Sequence, residues 1–204
     1  MYQPAPVPGE ITLILAQLAP EDVDRVRTTF QFAAAAHVGH VRDEGLPFIA
    51  HPVHVAAILW HELGNRKVDL VLAALCHDVL EDCPNIDPAV LGDLIGQSAL
   101  ELVLAVTKRG VAEDLKTARD REYLDAIRRA SHDVRLLKLA DRIHNLRSIP
   151  AAGNPAKARR YLDVSRAEFL PIAAATDVTA ERLVATACDA IERYLLTLDA
   201  AHPL

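Results

Sequence analysis

The sequence predicts an all-α protein, and three observations support that prediction. About half of the 204 residues are hydrophobic, which suits one compact domain that buries a substantial core. Alanine and leucine are abundant while aromatic residues make up only 4%, so strands have few of the residues that favour them. The apolar residues recur mostly at helical spacing. We therefore expect a single domain of packed helices.

Helices are expected along nearly the whole chain after an irregular start. Residues 1–9 contain three prolines and predict an irregular N-terminal tail, so the helical domain is assigned to residues 10–204. Apolar spacing and capping residues predict helices at 10–17, 21–38, 52–63, 69–82, 87–94, 97–107, 117–130, 132–148, 155–175 and 178–199. Gly and Pro within residues 42–47 predict a loop, after which Pro52 suits the first turn of the next helix. His51 is therefore expected at a helix start.

Charge and cysteine usage argue against several classes of protein. The formal net charge of −6 disfavours a general nucleic-acid binder, because affinity for a phosphate backbone needs clustered Lys and Arg. The three cysteines form no CxxC pair, and their odd number suits a reducing compartment. The apolar run from Ile11 to Ala19 is too short to span a bilayer and has no basic residue before it. We therefore expect a cytoplasmic protein that binds neither nucleic acid nor membrane, and the sequence identifies no protein partner.

The stretch LCHDVLED, from Leu75 to Asp82, places a histidine and three carboxylates at the end of an apolar segment. Burying an unpaired charge is costly, so such a cluster needs a cation, a metal or many hydrogen bonds. On one continuous helix, His77 and Glu81 share a face, and Asp78 and Asp82 share the adjoining one. The pattern predicts two metal ligands, His77 and Asp78, with the other two carboxylates placed to handle water. A competing interpretation is an acidic helix end that meets solvent.

A second polar cluster lies on the helix that follows Ser131, a residue suited to cap it. One face of this helix is apolar, formed by Leu136, Leu139, Ala140, Ile143 and Leu146. Polar residues follow the opposite face at spacings of three, four and three, namely Lys138, Asp141, Asn145 and Ser148. Taken alone, such a stripe is typical of a solvated face. Arg142, His144 and Arg147 are expected at the surface.

Five motifs occur in one order along the chain. They are Ala36–Arg42, Pro47–Pro52, His77-Asp78 with Glu81-Asp82, Val106–Lys108 and Lys138–Arg147. This ordered set, within about residues 25–170, closely resembles the HD-domain hydrolases of the RelA/SpoT type, including the small stand-alone alarmone hydrolases. A single His-Asp pair would be weak evidence, whereas the ordered set is specific. The chain length suggests a stand-alone member without the separate synthetase domain.

The resemblance implies an HD-type helical bundle with one divalent ion, typically manganese, held by His51, His77, Asp78 and Asp141. Two imidazoles and two carboxylates also suit Mn²⁺ better than Mg²⁺ or a metal that prefers thiolates. His54 is a rival for the first ligand position, but the family pattern places its histidine directly before proline, which favours His51. Structural or surface positions are expected for His54, His61, His132 and His202. His37 and His40 are expected to support the ligands or to pack beside the site, and not to bind the metal themselves.

The reaction that the resemblance implies is removal of pyrophosphate from the ribose 3′ position of guanosine tetra- or pentaphosphate. Glu81 and Asp82 are the candidates to orient a water molecule at the metal and to take its proton. The resemblance also suggests nucleotide contacts for Arg42, Lys108, Asn145, Ser148 and Tyr161. In this scheme Arg42 binds phosphate, and Asn145 and Ser148 hydrogen-bond to the ribose or its phosphate. The Tyr161 ring packs on the nucleotide.

Three positions depart from the family pattern. Asp43 stands where a basic residue follows the arginine, Cys83 stands where threonine follows the two acids, and Ser148 stands where threonine is frequent. Asp43 beside the expected pocket would repel a tetraphosphate, so 3′-phosphorylated adenosine analogues and NADPH stay open as substrates. Two other functions stay open as well: another HD-type nucleotide phosphohydrolase, which the Lys138–Arg147 block disfavours, and a silent nucleotide sensor, which the retained acids at 81 and 82 disfavour.

Overall fold

Helices make up the regular secondary structure of the described residues. The computed structural model describes residues 5, 7–108 and 116–201. Within them the one pairing of strand type is an isolated bridge between Val41 and Pro47. The all-α prediction is therefore confirmed for the described chain. Of the predicted irregular tail, residues 1–4 and 6 lie outside the described residues, and the first helix begins at Gly9.

The helices follow one another with short connections. They are α1 (Gly9–Leu15), α2 (Pro20–Ala36), α3 (Ala50–Ala57), α4 (Val68–Cys76), α5 (Val79–Asp82), α6 (Pro88–Ile95), α7 (Gln97–Val106), α8 (Lys116–Arg129), α9 (His132–Ala152), α10 (Pro155–Val164), α11 (Leu170–Ala174) and α12 (Val178–Ala201). Two π-helical turns, Ile58–Glu62 and Ser165–Phe169, directly follow α3 and α10. The segment predicted as one helix at 155–175 is therefore interrupted by a π-helical turn.

The long helix α9 begins as predicted and ends later. The Ser131 side chain accepts a hydrogen bond from the Val134 amide, so the predicted cap is confirmed. The helix continues to Ala152, four residues past the predicted end at 148. It stops where Gly153 adopts a φ of 64°, a left-handed conformation that glycine tolerates and that commonly ends helices.

The predicted continuous helix at 69–82 is wrong at one point, because the chain bends at His77 and Asp78 between α4 and α5. The Nδ1 atom of the His77 ring lies 2.8 Å from the Ala74 carbonyl oxygen. A side chain that bonds to a carbonyl of the last turn competes with the helical backbone pattern. The bend therefore occurs at the two residues that carry the predicted metal ligands.

Three helices, α3, α4 and α9, pack side by side and carry these residues. All residues from Leu70 to Cys76 in α4 are buried, as the apolar sequence on every face predicts. Helix α9 packs against α3, α4, α7, α10 and α12 through its apolar face. Each large aliphatic side chain buried in this way contributes about 1.5–3 kcal/mol. The predicted ligands are thus carried by helices that pack in the buried core of the bundle.

The described residues also test the expectations about thiols and membranes. Cys76, Cys83 and Cys188 are all free, and the first and last of them are buried. No described helix has both the length and the apolar character needed to cross a bilayer.

Candidate metal centre

Four predicted ligands from three parts of the chain converge in the bundle. His51 lies in the first turn of α3, His77 and Asp78 form the bend after α4, and Asp141 lies in the middle of α9. His51, His77 and Asp141 are 1%, 3% and 6% exposed. Such burial of polar groups requires partners, and each of these groups faces the others.

The ligand atoms of His51, His77 and Asp78 lie at the separations that one shared ion requires, and Asp141 adjoins them. His51 Nε2 is 3.2 Å from His77 Nε2, 3.4 Å from Asp78 Oδ2 and 3.2 Å from Asp141 Oδ1. His77 Nε2 is 3.1 Å from Asp78 Oδ2 and 3.9 Å from Asp141 Oδ1. Nitrogen and oxygen ligands about 2.0–2.2 Å from a metal are about 3–3.6 Å apart. The donor set and its spacing therefore fit one divalent ion.

Both imidazoles are oriented so that Nε2 faces this cluster. His77 donates from Nδ1 to the Ala74 carbonyl oxygen at 2.8 Å, which leaves Nε2 free to bind a metal. His51 Nδ1 lies 2.7 Å from His144 Nδ1, and His144 Nε2 lies 3.1 Å from His54 Nδ1. Burial and the neighbouring His51 and His54 rings lower the pKa of His144, so its neutral ring can accept a hydrogen bond from His51. A proton on His51 Nδ1 that is donated to His144 leaves His51 Nε2 free to bind a metal.

The two carboxylates are held in the charged form. Burial by itself would raise the pKa of Asp141, but the Lys138 ammonium and the His51 ring hold it well below its usual range. Lys138 Nζ donates to Asp141 Oδ2 at 2.7 Å, and Asn145 Nδ2 donates to Oδ1 at 2.5 Å. The pKa of Asp78 is likewise lowered, because the charge on His77 and contacts to His51 outweigh the effect of burial. The polar stripe on α9 is thus a buried network and not a solvated face.

The negative charges of Asp78 and Asp141 favour a cation in the cluster. Burial would lower the pKa of His77, but Asp78 and Asp141 reverse the effect and raise it to about 9. The protonated ring supplies positive charge that the two carboxylates need. A divalent ion in the same place would supply that charge and displace the proton.

Comparison with known proteins supports the metal centre. A family model described as "HD domain" matches residues 29–179. The chain belongs to the HD-domain family. HD domains are metal-dependent hydrolase folds, so membership agrees with a divalent ion at the cluster of His51, His77 and Asp78.

The HD domain is also similar to named proteins. It is 36% identical over 170 residues to the bifunctional (p)ppGpp synthase/hydrolase SpoT of Escherichia coli, covering 79% of this chain and 23% of that protein. It is 36% identical over 126 residues to the guanosine-3′,5′-bis(diphosphate) 3′-pyrophosphohydrolase MESH1 of Danio rerio, covering 59% of this chain and 67% of that one. The chain thus spans about a quarter of the length of the bacterial relative.

A solved structure confirms the HD-type fold. It belongs to a metazoan orthologue of SpoT that is described as hydrolysing ppGpp. The two structures agree with a TM-score of 0.71 over 94% of this chain and 99% of that chain, at 23% sequence identity. At this identity the likeness establishes the fold alone.

The predicted catalytic carboxylates of the HD domain lie on the short helix α5. Glu81 Oε2 accepts a hydrogen bond from the backbone N–H of Lys108 at 2.9 Å, which ties α5 to the end of α7. Burial, together with the charges of Asp78 and Glu81, raises the pKa of Asp82 to about 6. Glu81 is thus held in position, while Asp82 can gain and lose a proton near neutral pH.

Three of the predicted substrate contacts form one group beside the metal cluster. The loop after α2 brings Arg42 to α9, where its Nη2 donates to Asn145 Oδ1 at 3.0 Å and to Ser148 Oγ at 3.1 Å. The same guanidinium pairs with Glu44 through Nε at 3.3 Å. Since Asn145 also contacts Asp141, the group is connected to a metal ligand.

The other two predicted contacts lie apart from this group. The Lys108 ammonium pairs with Asp120. The backbone N–H of the same residue donates to Glu81. Tyr161, on α10, is packed against the Arg142 guanidinium, whose carbon lies 4.7 Å from the ring centroid. Asn145 accepts a hydrogen bond from Arg42. Among the described residues, no such direct contact joins Tyr161 to Arg42.

Asp43 has a partner that the sequence does not predict. Its carboxylate is 55% exposed and lies 2.6 Å from the ammonium of Lys157 on α10. The hydrogen bond and charge of Lys157 lower the pKa of Asp43. Its negative charge is therefore largely compensated, which weakens the expectation that it repels a tetraphosphate.

Several predicted surface positions need correction. His144 and Arg142 are half-buried. His144 contacts His51. The guanidinium carbon of Arg142 lies 3.9 Å from the Phe169 ring centroid. Arg147 is exposed as expected and pairs with Glu62. Of the other histidines, His61 and His132 are exposed, His54 contacts His144, and His202 lies outside the described residues. The signal for His144 was its position three residues after Asp141 on the same helix.

Proposed function

We propose that the protein is a metal-dependent hydrolase that removes pyrophosphate from the 3′ position of guanosine tetra- or pentaphosphate or of a closely related 3′-phosphorylated purine nucleotide. One observation carries the proposal: the ligand atoms of His51, His77 and Asp78 lie 3.1–3.4 Å apart, and Asp141 Oδ1 lies 3.2 Å from His51 Nε2. Relatives named as guanosine-3′,5′-bis(diphosphate) 3′-pyrophosphohydrolases support the substrate class.

The proposed cofactor is one divalent ion, with manganese as the preferred metal. A site of two imidazoles and two carboxylates suits a borderline transition ion. Such an ion lowers the pKa of a bound water molecule and offsets negative charge on phosphoryl oxygens. Lys138 and Asn145 keep Asp141 oriented and charged, since they occupy its two oxygens.

In this proposal Glu81 and Asp82 act on the attacking water. Glu81 is anchored by the Lys108 amide through one oxygen, so the other can accept a hydrogen bond from water. Asp82 has its pKa raised to about 6, so it can accept a proton near neutral pH and release it to solvent. A positioned carboxylate base typically contributes about 10²- to 10⁴-fold to such a reaction.

The proposed nucleotide contacts surround this centre. Arg42 has charge and hydrogen-bond donors suited to a phosphate group, and it already lies at Asn145 and Ser148. Those two side chains are placed to bind the ribose or its 3′-phosphate. Lys108 supplies a second cation near Glu81, and Tyr161 an aromatic ring for the base. Binding of the substrate would replace part of the pairing among these residues.

The proposal includes the setting of the reaction. We assign residues 10–204 to one hydrolase domain that acts in the cytoplasm on a small nucleotide and binds neither nucleic acid nor membrane. 3′-Phosphorylated adenosine analogues and NADPH remain candidates for the same site, because Asp43 stands where the family pattern has a basic residue.

An assay on a panel of nucleotides tests this function. The manganese-loaded protein is incubated with guanosine tetraphosphate, its adenosine analogue, NADPH and a cyclic nucleotide, and released pyrophosphate is measured separately from phosphate. We expect GDP and pyrophosphate in equal amounts from the guanosine tetraphosphate. Release of phosphate without pyrophosphate from every substrate would instead indicate another HD-type phosphohydrolase, and binding without turnover would indicate a sensor.

A further inference from the structure

A second group of metal-binding side chains lies where α2 and α5 both end. His37 directly follows α2, His40 lies in the turn after it, and Cys83 directly follows α5. Their potential ligand atoms all lie within 4.8 Å of one another. None of the three is part of the His51 cluster, and none has a role in the proposed hydrolysis.

Two of the three separations between these side chains are close to those of a tetrahedral site. His37 Nδ1 is 3.4 Å from His40 Nδ1 and 3.8 Å from Cys83 Sγ. With metal–nitrogen bonds of about 2.0–2.1 Å and a metal–sulfur bond of about 2.3 Å, tetrahedral zinc places its ligands about 3.3 Å (N to N) and about 3.6 Å (N to S) apart. The observed separations are within a few tenths of an ångström of these values.

One aromatic side chain contacts both rings and holds the buried one in place. The Phe48 ring stacks on His37, with centroids 4.5 Å apart, and lies edge-on to His40 at 6.3 Å. His37 is 3% exposed, so its ring has little freedom to turn away. A site whose ligands are already oriented loses less entropy when it binds an ion.

We propose that His37, His40 and Cys83 form a second metal site, which binds a zinc-class divalent ion through two imidazole nitrogens and one thiolate. This inference does not rest on the proposed hydrolysis. Thiolate and imidazole ligands together suit Zn²⁺, whereas the carboxylate-bearing cluster at His51 suits Mn²⁺. With three protein ligands, the fourth coordination position is left for water or another small ligand.

The protonation states of the cluster define what binding changes. Burial lowers the pKa of His37 to about 4, so its ring is neutral at neutral pH and ready to bind a metal. Burial and the charges of Asp82 and Asp78 raise the pKa of Cys83, and its thiol donates to the Ala36 carbonyl oxygen at 3.3 Å. Binding forms two metal–nitrogen bonds and one metal–sulfur bond, and it displaces the Cys83 proton to solvent.

The proposed ion would connect two elements next to the hydrolytic centre. Cys83 directly follows Asp82, and His37 and His40 precede the loop that carries Arg42. An ion bound to all three would tie this loop to the end of α5. The site would therefore fix the position of one wall of the candidate active site.

Cobalt binding tests the second site without reference to activity. The metal-free protein, kept reduced with a phosphine, is titrated with Co²⁺. We expect two bound ions per chain in the wild type and an absorption band from sulfur-to-cobalt charge transfer. Cys83→Ser and, separately, His40→Gln are expected to lose that band and one ion. Folding of each variant is checked by circular dichroism. Because His40 is exposed, its replacement does not disturb the core.

Matched variants separate the two sites. Cys188→Ala, which removes a cysteine elsewhere, and His132→Gln, which removes an exposed histidine, are expected to keep the band and both ions. His77→Ala is expected to lose the other ion and to keep the band. A wild-type protein without a thiolate band, or a Cys83→Ser variant that keeps both ions, would show that the three side chains form a hydrogen-bonded cluster only and would overturn the proposal.

Discussion

Two buried histidines, His77 and His37, have opposite acid–base properties. The first has a pKa raised to about 9 and the second a pKa lowered to about 4. Burial lowers the pKa of both rings. The difference comes from carboxylates, because Asp78 and Asp141 adjoin His77, while for His37 the effect of Asp78 is too weak to outweigh burial and the neighbouring imidazoles. Adjacent carboxylates thus account for the difference between these two rings.

This contrast indicates two different kinds of metal environment. Around His77 the carboxylates create a demand for positive charge, which a divalent ion satisfies. Around His37 the donors are neutral nitrogens and a thiol, which suit an ion with affinity for sulfur. Asp82 lies between the two regions, since its pKa responds to Asp78 on one side and His40 on the other.

The strongest test of the contrast removes a ring from the carboxylate-rich cluster. His77→Ala deletes one proposed ligand and removes the imidazole whose Nε2 lies 3.1 Å from Asp78 Oδ2. We expect loss of the manganese ion and of detectable hydrolysis. Elemental analysis of the purified variant measures the metal, and full occupancy in it would refute the ligand assignment.

A second test compares the two carboxylates of α5. Glu81→Gln keeps the size of the side chain and an oxygen for the Lys108 amide but removes a proton acceptor. We expect the metal to stay bound and kcat to fall by about 10²- to 10⁴-fold. Asp82→Asn is the matched variant one residue away. A loss below about threefold in Glu81→Gln, with a large loss in Asp82→Asn, would assign the proton transfer to Asp82.

A third test addresses the side chains that support Asp141, a proposed metal ligand. Lys138→Met keeps most of the length of the side chain but removes the ammonium that pairs with Asp141 Oδ2 at 2.7 Å. Changes to residues that hold metal ligands typically lower metal affinity about 10- to 100-fold. Equilibrium metal titration measures this change. Arg147→Met, on the exposed side of the same helix, is the control, and equal affinity in both variants would contradict the role of Lys138.

A fourth test uses the lowered pKa of His37 in protein freed of metal. Between pH about 6.5 and about 4 the unfolded chain protonates this ring while the folded protein does not. The contribution of the neutral His37 ring to the free energy of unfolding is therefore present above pH 6.5. It is lost as pH falls toward 4. From pH 7 to pH 5 we expect a loss on the order of 2 kcal/mol.

Denaturant unfolding at the two pH values measures this loss. His37→Gln should show a smaller decrease in the free energy of unfolding between pH 7 and pH 5 than the wild type. An equal decrease in both proteins would mean that the His37 ring is protonated at the same pH in the folded and unfolded states.

The smallest effect is expected at Asp43, on the outer rim of the site. Asp43→Lys changes the charge by two and breaks the exposed pair with Lys157, which is worth about 0.2–1 kcal/mol. We expect the KM for guanosine tetraphosphate to fall severalfold at low salt, with a smaller gain as salt rises. Asp24→Lys, on the exposed face of α2, is the control for net charge. Kinetics unchanged at every salt concentration would show that the charge of Asp43 does not affect specificity.

Properties that depend on spacing within one helix were predictable from the sequence. The line of Lys138, Asp141 and Asn145 on α9 is observed as two hydrogen bonds to Asp141, because residues three and four apart on a helix are neighbours. The Ser131 cap and most helix bounds were predictable for the same local reason. The ordered motifs also indicated which four residues meet, through the resemblance to HD-domain hydrolases.

Contacts between distant segments were decided by the tertiary structure alone. His144 meets His51 across 93 residues, Asp43 meets Lys157 across 114, and Cys83 meets His37 across 46. Helical periodicity specifies which face a side chain occupies, but the partner of that face depends on how the apolar surfaces of α3, α4, α9 and their neighbours pack. The bend at His77 and Asp78 has the same origin, because the ring bonds to the backbone of α4 while it faces ligands from two other helices.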